Sequence, residues 1–333
     1  MSDRINIAFL GCGYITRVHG RHLTRLRDEI IPSYASRDAE KAEAYRRECV
    51  GARSYGDYRA AIDDPMVDAV VVAVPPRFHL ELTLQALAGG KHVLVEKPAF
   101  PRLSDFEQVR SAAERAKRVV LVGENDHYKP LAVCLRRLLA DGAIGEMVLA
   151  HFTTLVKKFK PAEDWRNDEA MAGGDAFFEE GIHWLHLANS LGPVISSVHG
   201  YRPPPVSDGP DRRAKSMLVS FRYDTGAAGS LYYSREVPSL LRGLRLSKLF
   251  GRNGIITFES NGAFVFVRND GMPELLFPGF RDIRGYQAMY RDFVSAIRDG
   301  CRPEMSVEAA MADQRIMEQI YATADTGGGT EHV

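Results

Sequence analysis

One run of seven residues constrains this chain most: Asp68-Ala69-Val70-Val71-Val72-Ala73-Val74. After its aspartate the run is apolar at every position, so neither face of such a strand can meet water. An antiparallel strand with one wet face alternates apolar and polar residues. A strand without a polar face belongs inside a parallel sheet covered by helices on both sides. Parallel neighbours must be joined by long crossovers, usually helices, and the flanking sequence supplies them.

The run 5–10, Ile5-Asn6-Ile7-Ala8-Phe9-Leu10, is another buried strand and stops at glycine. A helix from about Ile15 follows, with Ile15, Val18, Leu23 and Leu26 on one side. Residues 30–35 read as a strand, and Asp38 is placed to cap a polar helix through Glu48. Leu80, Leu84 and Leu87 recur at helical spacing up to Gly89-Gly90, ahead of a strand at 92–95. A helix over 104–117 leads to a strand at 119–122. This alternation predicts an α/β fold: an N-terminal Rossmann domain, a doubly wound parallel sheet, over residues 1–124.

Beyond it the pattern changes. A helix over 131–140 precedes candidate strands at 147–156, 216–223, 229–235, 244–250, 255–259 and 264–267. Turn signals such as Asp224-Thr225-Gly226 and Asn269-Asp270-Gly271 separate them. That predicts a C-terminal α+β domain, 125–333, with a large, open, mostly antiparallel sheet. Helices over 286–298 and 307–324 close the chain, 203–213 is a surface loop, and 326–333 a frayed tail.

Two domains suit 333 residues. The 43 Lys and Arg balance 43 Asp and Glu, so no global field attracts nucleic acid or an anionic membrane, and neither partner is expected. Four separated cysteines without a C-x-x-C pair form neither a disulfide framework nor a metal site. Free thiols, no signal-peptide pattern and no apolar run of membrane-spanning length lead to the expectation of a cytoplasmic protein.

The first strand runs into Gly11-Cys12-Gly13 and then a helix. Glycines there let the backbone approach a pyrophosphate, and the helix N-terminus offers it unpaired N–H groups. Gly11, Gly13, Tyr14 and Ile15 are therefore expected to bind a dinucleotide. The third fingerprint position is Thr16 rather than Gly or Ala, tolerable if helix and strand pack slightly farther apart. The end of the second strand reads Ala35-Ser36-Arg37-Asp38. An NAD site usually places an acid where Ser36 stands. A hydroxyl followed by a guanidinium suits a 2′-phosphate, so NADP is favoured, with NAD the alternative.

Ala73-Val74-Pro75-Pro76-Arg77-Phe78-His79 follows the central strand, and Gly90-Lys91-His92-Val93-Leu94-Val95-Glu96-Lys97-Pro98 follows later. With Gly11–Thr16 these resemble the Gfo/Idh/MocA oxidoreductase family, the glucose–fructose oxidoreductase and inositol dehydrogenase group. The resemblance implies that Val74, Pro75, His79, Glu96, Lys97 and Asn125 lie along the cofactor, and that the bond into Pro98 is cis. Lys97 follows the carboxyl end of a parallel strand, where ligands bind in open sheets. Its ammonium can stabilise negative charge on a substrate oxygen. The stretch 172–186 resembles the family's glycine-rich lead-in to the helix that faces the nicotinamide. It implies that His183 is the catalytic histidine, with Glu179 one turn before it where the family usually has aspartate. His186 stands where aspartate is usual, and the segment 123–130 lacks the family's arginine, with His127 and Tyr128 in that neighbourhood. Asp164-Trp165-Arg166 resembles a segment near the nicotinamide, so Trp165 and Arg166 join the cofactor set.

The expected reaction is hydride exchange between NAD(P) and a secondary hydroxyl or ketone of a sugar, polyol or derivative. His183 acts as base, Lys97 bonds the same oxygen, and Glu179 orients His183 or binds a neighbouring hydroxyl. Two alternatives stand beside it. One is a glycosidase-type route by transient oxidation and elimination; the other is a dinucleotide-binding regulator without catalysis. The open face of the second sheet implies, by resemblance, a homodimer or homotetramer.

Overall fold

The computed structural model describes residues 4–157, 164–204, 215–238 and 244–326, in two compact units. The first holds Met1–Asn125 together with Tyr286–Met311. Its six strands are β1 (Ile5–Leu10), β2 (Ile30–Ala35), β3 (Ser54–Tyr55), β4 (Ala69–Val72), β5 (His92–Glu96) and β6 (Val120–Gly123). They are parallel, in the order β3-β2-β1-β4-β5-β6. All four residues of β4 are buried, as its apolar run requires of a central strand. The order reverses between β1 and β4, and such a switch point opens a crevice at the carboxyl ends of the strands.

The crossovers are α1 (Tyr14–Leu23), α2 (Ala39–Glu48), α3 (Tyr58–Asp63), α4 (His79–Ala88) and α5 (Leu103–Ala116). Asp38 caps α2 by accepting from Lys41 N. Along α1 the buried side is Thr16, Val18, His19 and Leu23; Ile15 is half-buried, and Leu26 is buried but lies past the helix end. The short β3 lacked a hydrophobic pattern that could announce it.

His92 at the start of β5 accepts from Val119 N through Nδ1, at 3.0 Å, which needs that nitrogen unprotonated. Burial, helped by the nearby Arg118 charge, pushes its pKa from 6.5 down to about 4. The unfolded chain therefore takes up this proton first. The stabilisation is complete above pH 6.5 and is lost as pH falls toward 4. Thermal midpoints are expected to drop through that window, and His92→Gln is expected to flatten the drop. An equally steep decline in the variant would assign the slope to other groups.

The second unit holds Asp126–Gly285 and Ala312–Val333. Its helices include α6 (Pro130–Ala140), α7 (Glu169–Ala172) and α8 (Ile182–Asn189). Its strands are β7 (Met147–Leu155), β8 (Ile195–Tyr201), β9 (Ser216–Tyr223), β10 (Ala228–Ser234), β11 (Leu246–Gly251), β12 (Gly254–Glu259), β13 (Val265–Asn269) and β14 (Glu274–Leu276). They form one sheet, β14-β13-β12-β11-β7-β10-β9-β8, antiparallel except where β7 and β10 run parallel. Strands β8 and β14 extend the sheet beyond the six expected. One face buries Phe152, Phe221, Leu231, Leu249 and Phe258 in a core with Leu135, Leu185 and Ile320. The other carries exposed Leu149, Tyr201 and Tyr232.

The chain closes with α9 (Tyr286–Asp299) and α10 (Val307–Thr326). A second domain continuous over 125–333 does not describe this arrangement, because Tyr286–Met311 belongs with the first unit. The apolar face of α9, including Tyr286, Tyr290 and Phe293, is buried there and packs beside α1. A bridge pairs Leu121 with Ser306, and Val122 N donates to Met305 O. Thr326 ends α10 rather than opening a tail, and 327–333 lie outside the described residues. Pro203 and Pro204 are exposed coil; the rest of the expected loop at 205–213 lies outside the described residues. Among the described residues no helix is long and apolar enough to cross a membrane.

Candidate active site

The glycine turn after β1 is built for close approach. Gly11 has φ +113°, and a Cβ there would meet Ala73 O at 2.4 Å, so only glycine fits. A Cβ on Gly13 would meet nothing within 4 Å, and no side chain caps the start of α1. Its first N–H groups are thus left for an anion. Tyr14 is exposed beside them.

Thr16 departs from the glycine fingerprint for a visible reason. It is fully buried, and its hydroxyl donates to Gly11 O at 2.7 Å, closing the turn from inside. The hydroxyl replaces the close packing that glycine or alanine would permit. Thr16→Val is expected to leave that carbonyl without its hydroxyl partner and to cost about 1–3 kcal/mol. Thr16→Ser should recover much of it in urea unfolding. Equal stability of all three proteins would remove the hydroxyl's role.

At the end of β2 the buried Ser36 accepts from Asp38 N at 3.2 Å, while Arg37 is exposed. Tyr58 lies within reach of Arg37: burial raises its phenol, and the guanidinium's charge and hydrogen bond act against that rise. After β4, Val74 and Pro75 are half-buried. The ring nitrogens of buried His79 lie 2.7 Å from Val74 O and 2.9 Å from Ala99 O, bracing the segments after β4 and β5. Burial holds this imidazole below its ordinary value.

Glu96 is also buried. The His19 Nε2 donates to its carboxylate at 2.8 Å, and His19 Nδ1 accepts from the Tyr290 hydroxyl at 2.5 Å. A three-residue chain thus links α1, the end of β5 and α9, one residue before Lys97. The Lys97-Pro98 bond is cis, as the resemblance implies, and Lys97 is half-buried. Asn125 is buried at the start of a 3₁₀ turn, Asn125–Tyr128.

In the second unit, Gly173 ends α7 with φ +78°, and Asp175 Oδ1 then accepts from Phe177 N and Phe178 N. Phe177–Gly181 winds as a π-helix before α8 begins. The Glu179 carboxylate is held by Arg166 Nε at 3.1 Å and Arg235 at 3.0 Å. Buried Arg235 also binds Glu180 at 2.8 Å. Burial opposes its charge, but the hydrogen bond and the charges of Glu180 and Glu179 prevail and raise its pKa. Asp126 Oδ1 stands 4.0 Å from His183 Nδ1. Arg166 lies over the Trp165 ring, 4.6 Å from its centroid.

His186, one turn beyond His183, is buried. Its Nδ1 lies 2.7 Å from Asp313 Oδ2 and its Nε2 lies 2.9 Å from His127 Nδ1. Asp126, Arg235, Asp313, His19 and Tyr290 are the residues that sequence reasoning did not single out. Each is remote in sequence from its partner, or sits in a pattern that reads as ordinary helix or strand.

The parallel sheet and the glycine turn that bares a helix N-terminus are those of a dinucleotide-binding fold. The chain belongs to the Gfo/Idh/MocA family: residues 5–124 match the oxidoreductase family's NAD-binding Rossmann fold and 133–256 its C-terminal domain. It is an NAD(P)-dependent enzyme of the dehydrogenase and reductase class. It is 22% identical to levoglucosan dehydrogenase of Pseudarthrobacter phenanthrenivorans, over 95% of this chain and 87% of the relative. It is 25% identical to D-xylose 1-dehydrogenase (NADP(+)) 2 of Haloferax volcanii, over 89% and 90%. It is 30% identical to inositol 2-dehydrogenase of Rhodococcus jostii, over 68% and 60%. The solved levoglucosan dehydrogenase–NADH complex shares the fold, with TM-score 0.88, 21% identity and coverage of 97% and 98%.

Proposed function

We propose that this enzyme exchanges a hydride between NADP and a secondary hydroxyl or ketone of a sugar, polyol or sugar derivative. The observation that carries this reading is His183 in the first turn of α8 beside the Asp126 carboxylate, in the family's motif. The glycine turn fits the cofactor: Gly11 admits no Cβ and Gly13 leaves open space. When bound, the dinucleotide supplies the hydride chemistry. His183 takes the proton of the hydroxyl being oxidised, and Asp126 favours the imidazolium that results. Lys97 donates to the substrate oxygen as negative charge develops on it. Glu179, held by two guanidiniums, orients the His183 segment or binds a neighbouring hydroxyl, and Asp126 adds a carboxylate beside the imidazole.

NADP is preferred because the exposed Arg37 follows Ser36, whose hydroxyl hydrogen can still be donated to a phosphate. NAD-dependent turnover that exceeds NADP-dependent turnover would overturn this preference. The substrate reading is tested with a panel of polyols, aldoses and anhydrosugars, followed by absorbance of the reduced cofactor. Accumulation in step with product supports the dehydrogenase. Product without accumulation points to transient oxidation and elimination; binding without turnover points to a regulator.

The exposed apolar residues Leu149, Tyr201 and Tyr232 on the open face of the second sheet support a homodimer or homotetramer. The free thiols, with Cys12, Cys49 and Cys134 buried, fit a reducing cytoplasm.

A further inference from the structure

The resemblance sets His79 along the cofactor, yet its ring is 1% exposed and is not placed to touch a ligand. It opens α4, inside the first unit, and lies between two segments of that unit. Its Nε2 is 2.7 Å from Val74 O, in the segment after β4. Its Nδ1 is 2.9 Å from Ala99 O, in the segment after β5. Val74 and Pro75 on one side, and Glu96 and Lys97 on the other, are positions that the resemblance assigns to the dinucleotide. One buried ring thus bears on both.

Donor and acceptor chemistry makes this placement unusual. A carbonyl oxygen only accepts, and a neutral imidazole has one N–H. Between two carbonyls at these distances, a neutral ring turns a lone pair toward one of them. The imidazolium has an N–H at each nitrogen and satisfies both. A buried cation also needs a counter-charge. Glu96 supplies it: its carboxylate is buried at the end of β5, and its charge favours the protonated ring. His19 on α1 donates to that carboxylate from Nε2 and accepts from Tyr290 on α9, an arrangement that leaves the negative charge in place. Arg77, two residues before His79, is exposed and lies over the Phe78 ring.

Burial works the other way. It lowers the ring's affinity for its proton, against the Val74, Ala99 and Pro98 carbonyls and the Glu96 charge. The ring is therefore poised between two states. With its second proton it holds both segments; without it, one hydrogen bond is lost and one segment is released.

We propose that His79 is a positioning residue for the dinucleotide, a latch that holds both segments when its two ring nitrogens donate together. Dinucleotide binding, which uses both segments, then draws one proton from solvent onto the ring. The coupling is reciprocal: a complex that holds more protons than the free protein forms more tightly as pH falls. This rests on the dinucleotide site of the reading above, not on its substrate.

The test is dinucleotide binding against pH, without turnover. NADH is the first probe, because it carries no 2′-phosphate to titrate near pH 6. Fluorescence titration should give a Kd about tenfold lower at about pH 5.5 than at about pH 8, the scale of one hydrogen bond from a charged donor. Calorimetry in buffers of different ionisation enthalpy should show proton uptake over the same range. His79→Gln keeps a donor but cannot titrate, so its Kd should stay flat and the uptake should disappear. Equal uptake in wild type and His79→Gln overturns the latch. A general packing role for His79 weakens binding at every pH alike and leaves the uptake unchanged. Nitrogen NMR of the labelled wild type covers the case in which the variant does not fold. In the acidic part of the range, NADH should convert the His79 ring from one N–H to two. A ring that stays singly protonated while NADH binds overturns the proposal. If neither NADH nor NADPH binds at any pH, the dinucleotide reading fails and the coupling fails with it.

Discussion

His183→Ala is expected to lower kcat by about two to four orders of magnitude, the usual contribution of a positioned acid–base group. Dinucleotide affinity, measured by fluorescence titration, should stay within a few-fold, because the glycine turn, Ser36 and Arg37 all lie in the other compact unit. Lys97→Ala should cost about two to three orders of magnitude, the scale seen when one donor to a developing oxyanion is removed. The two losses differ in how they respond to pH. Without His183 the limb that reports the base should vanish from the rate profile, whereas in Lys97→Ala it should persist. Asp126→Asn should give a smaller loss than His183→Ala, because it removes a carboxylate 4.0 Å from the imidazole and leaves the base itself in place. Wild-type turnover in both alanine variants would sink the assignment of the site.

The largest stability effect is expected at Arg235. It is 8% exposed and binds Glu179 and Glu180 together, at 3.0 and 2.8 Å. Arg235→Met keeps much of the volume but leaves two largely buried carboxylates facing each other with one guanidinium fewer. Breaking a buried pair from one side costs about 3–5 kcal/mol. Urea unfolding should register a loss of that order. Adding Glu180→Gln to Arg235→Met should recover part of it by removing a stranded charge. A loss below about 1 kcal/mol in Arg235→Met would mean that Arg166 and solvent already satisfy both carboxylates. Because these acids sit in the π-helical lead-in to α8, the same variant should also reduce kcat.

Much of this was legible in the sequence. The strand 5–10, the strand 30–35 and the helix cap at Asp38 follow from apolar runs and capping chemistry, and they stand where they were expected. The wholly apolar run after Asp68 implied a central strand, and β4 is that strand, buried at every position. In the second unit the alternating segments predicted the sheet but could not reveal that β7 and β10 run parallel. Alternation records which side of a strand is wet, not which neighbour it meets. Strand β8 escaped notice because its residues Ser196, Ser197 and His199 give no regular apolar period.

The candidate site divides in the same way. Gly11, Gly13, Lys97 and His183 could be read in the sequence because their roles depend on a turn, a strand end or a helix start. Those are relations among covalent neighbours, and local patterning encodes them. The partner of Glu179, the return of α9 to the first unit, and the chain from Asp313 through His186 to His127 were decided by tertiary structure alone. Helical spacing placed Glu179 one turn before His183, but could not show the guanidiniums of Arg166 and Arg235 that stand 3.1 and 3.0 Å from its carboxylate. His186 looked like a lost aspartate until folding set Asp313 against it from 127 residues away. Sequence by itself determined a dinucleotide-binding fold. Packing decided which charges face each other, because those contacts form only when distant segments exclude water together.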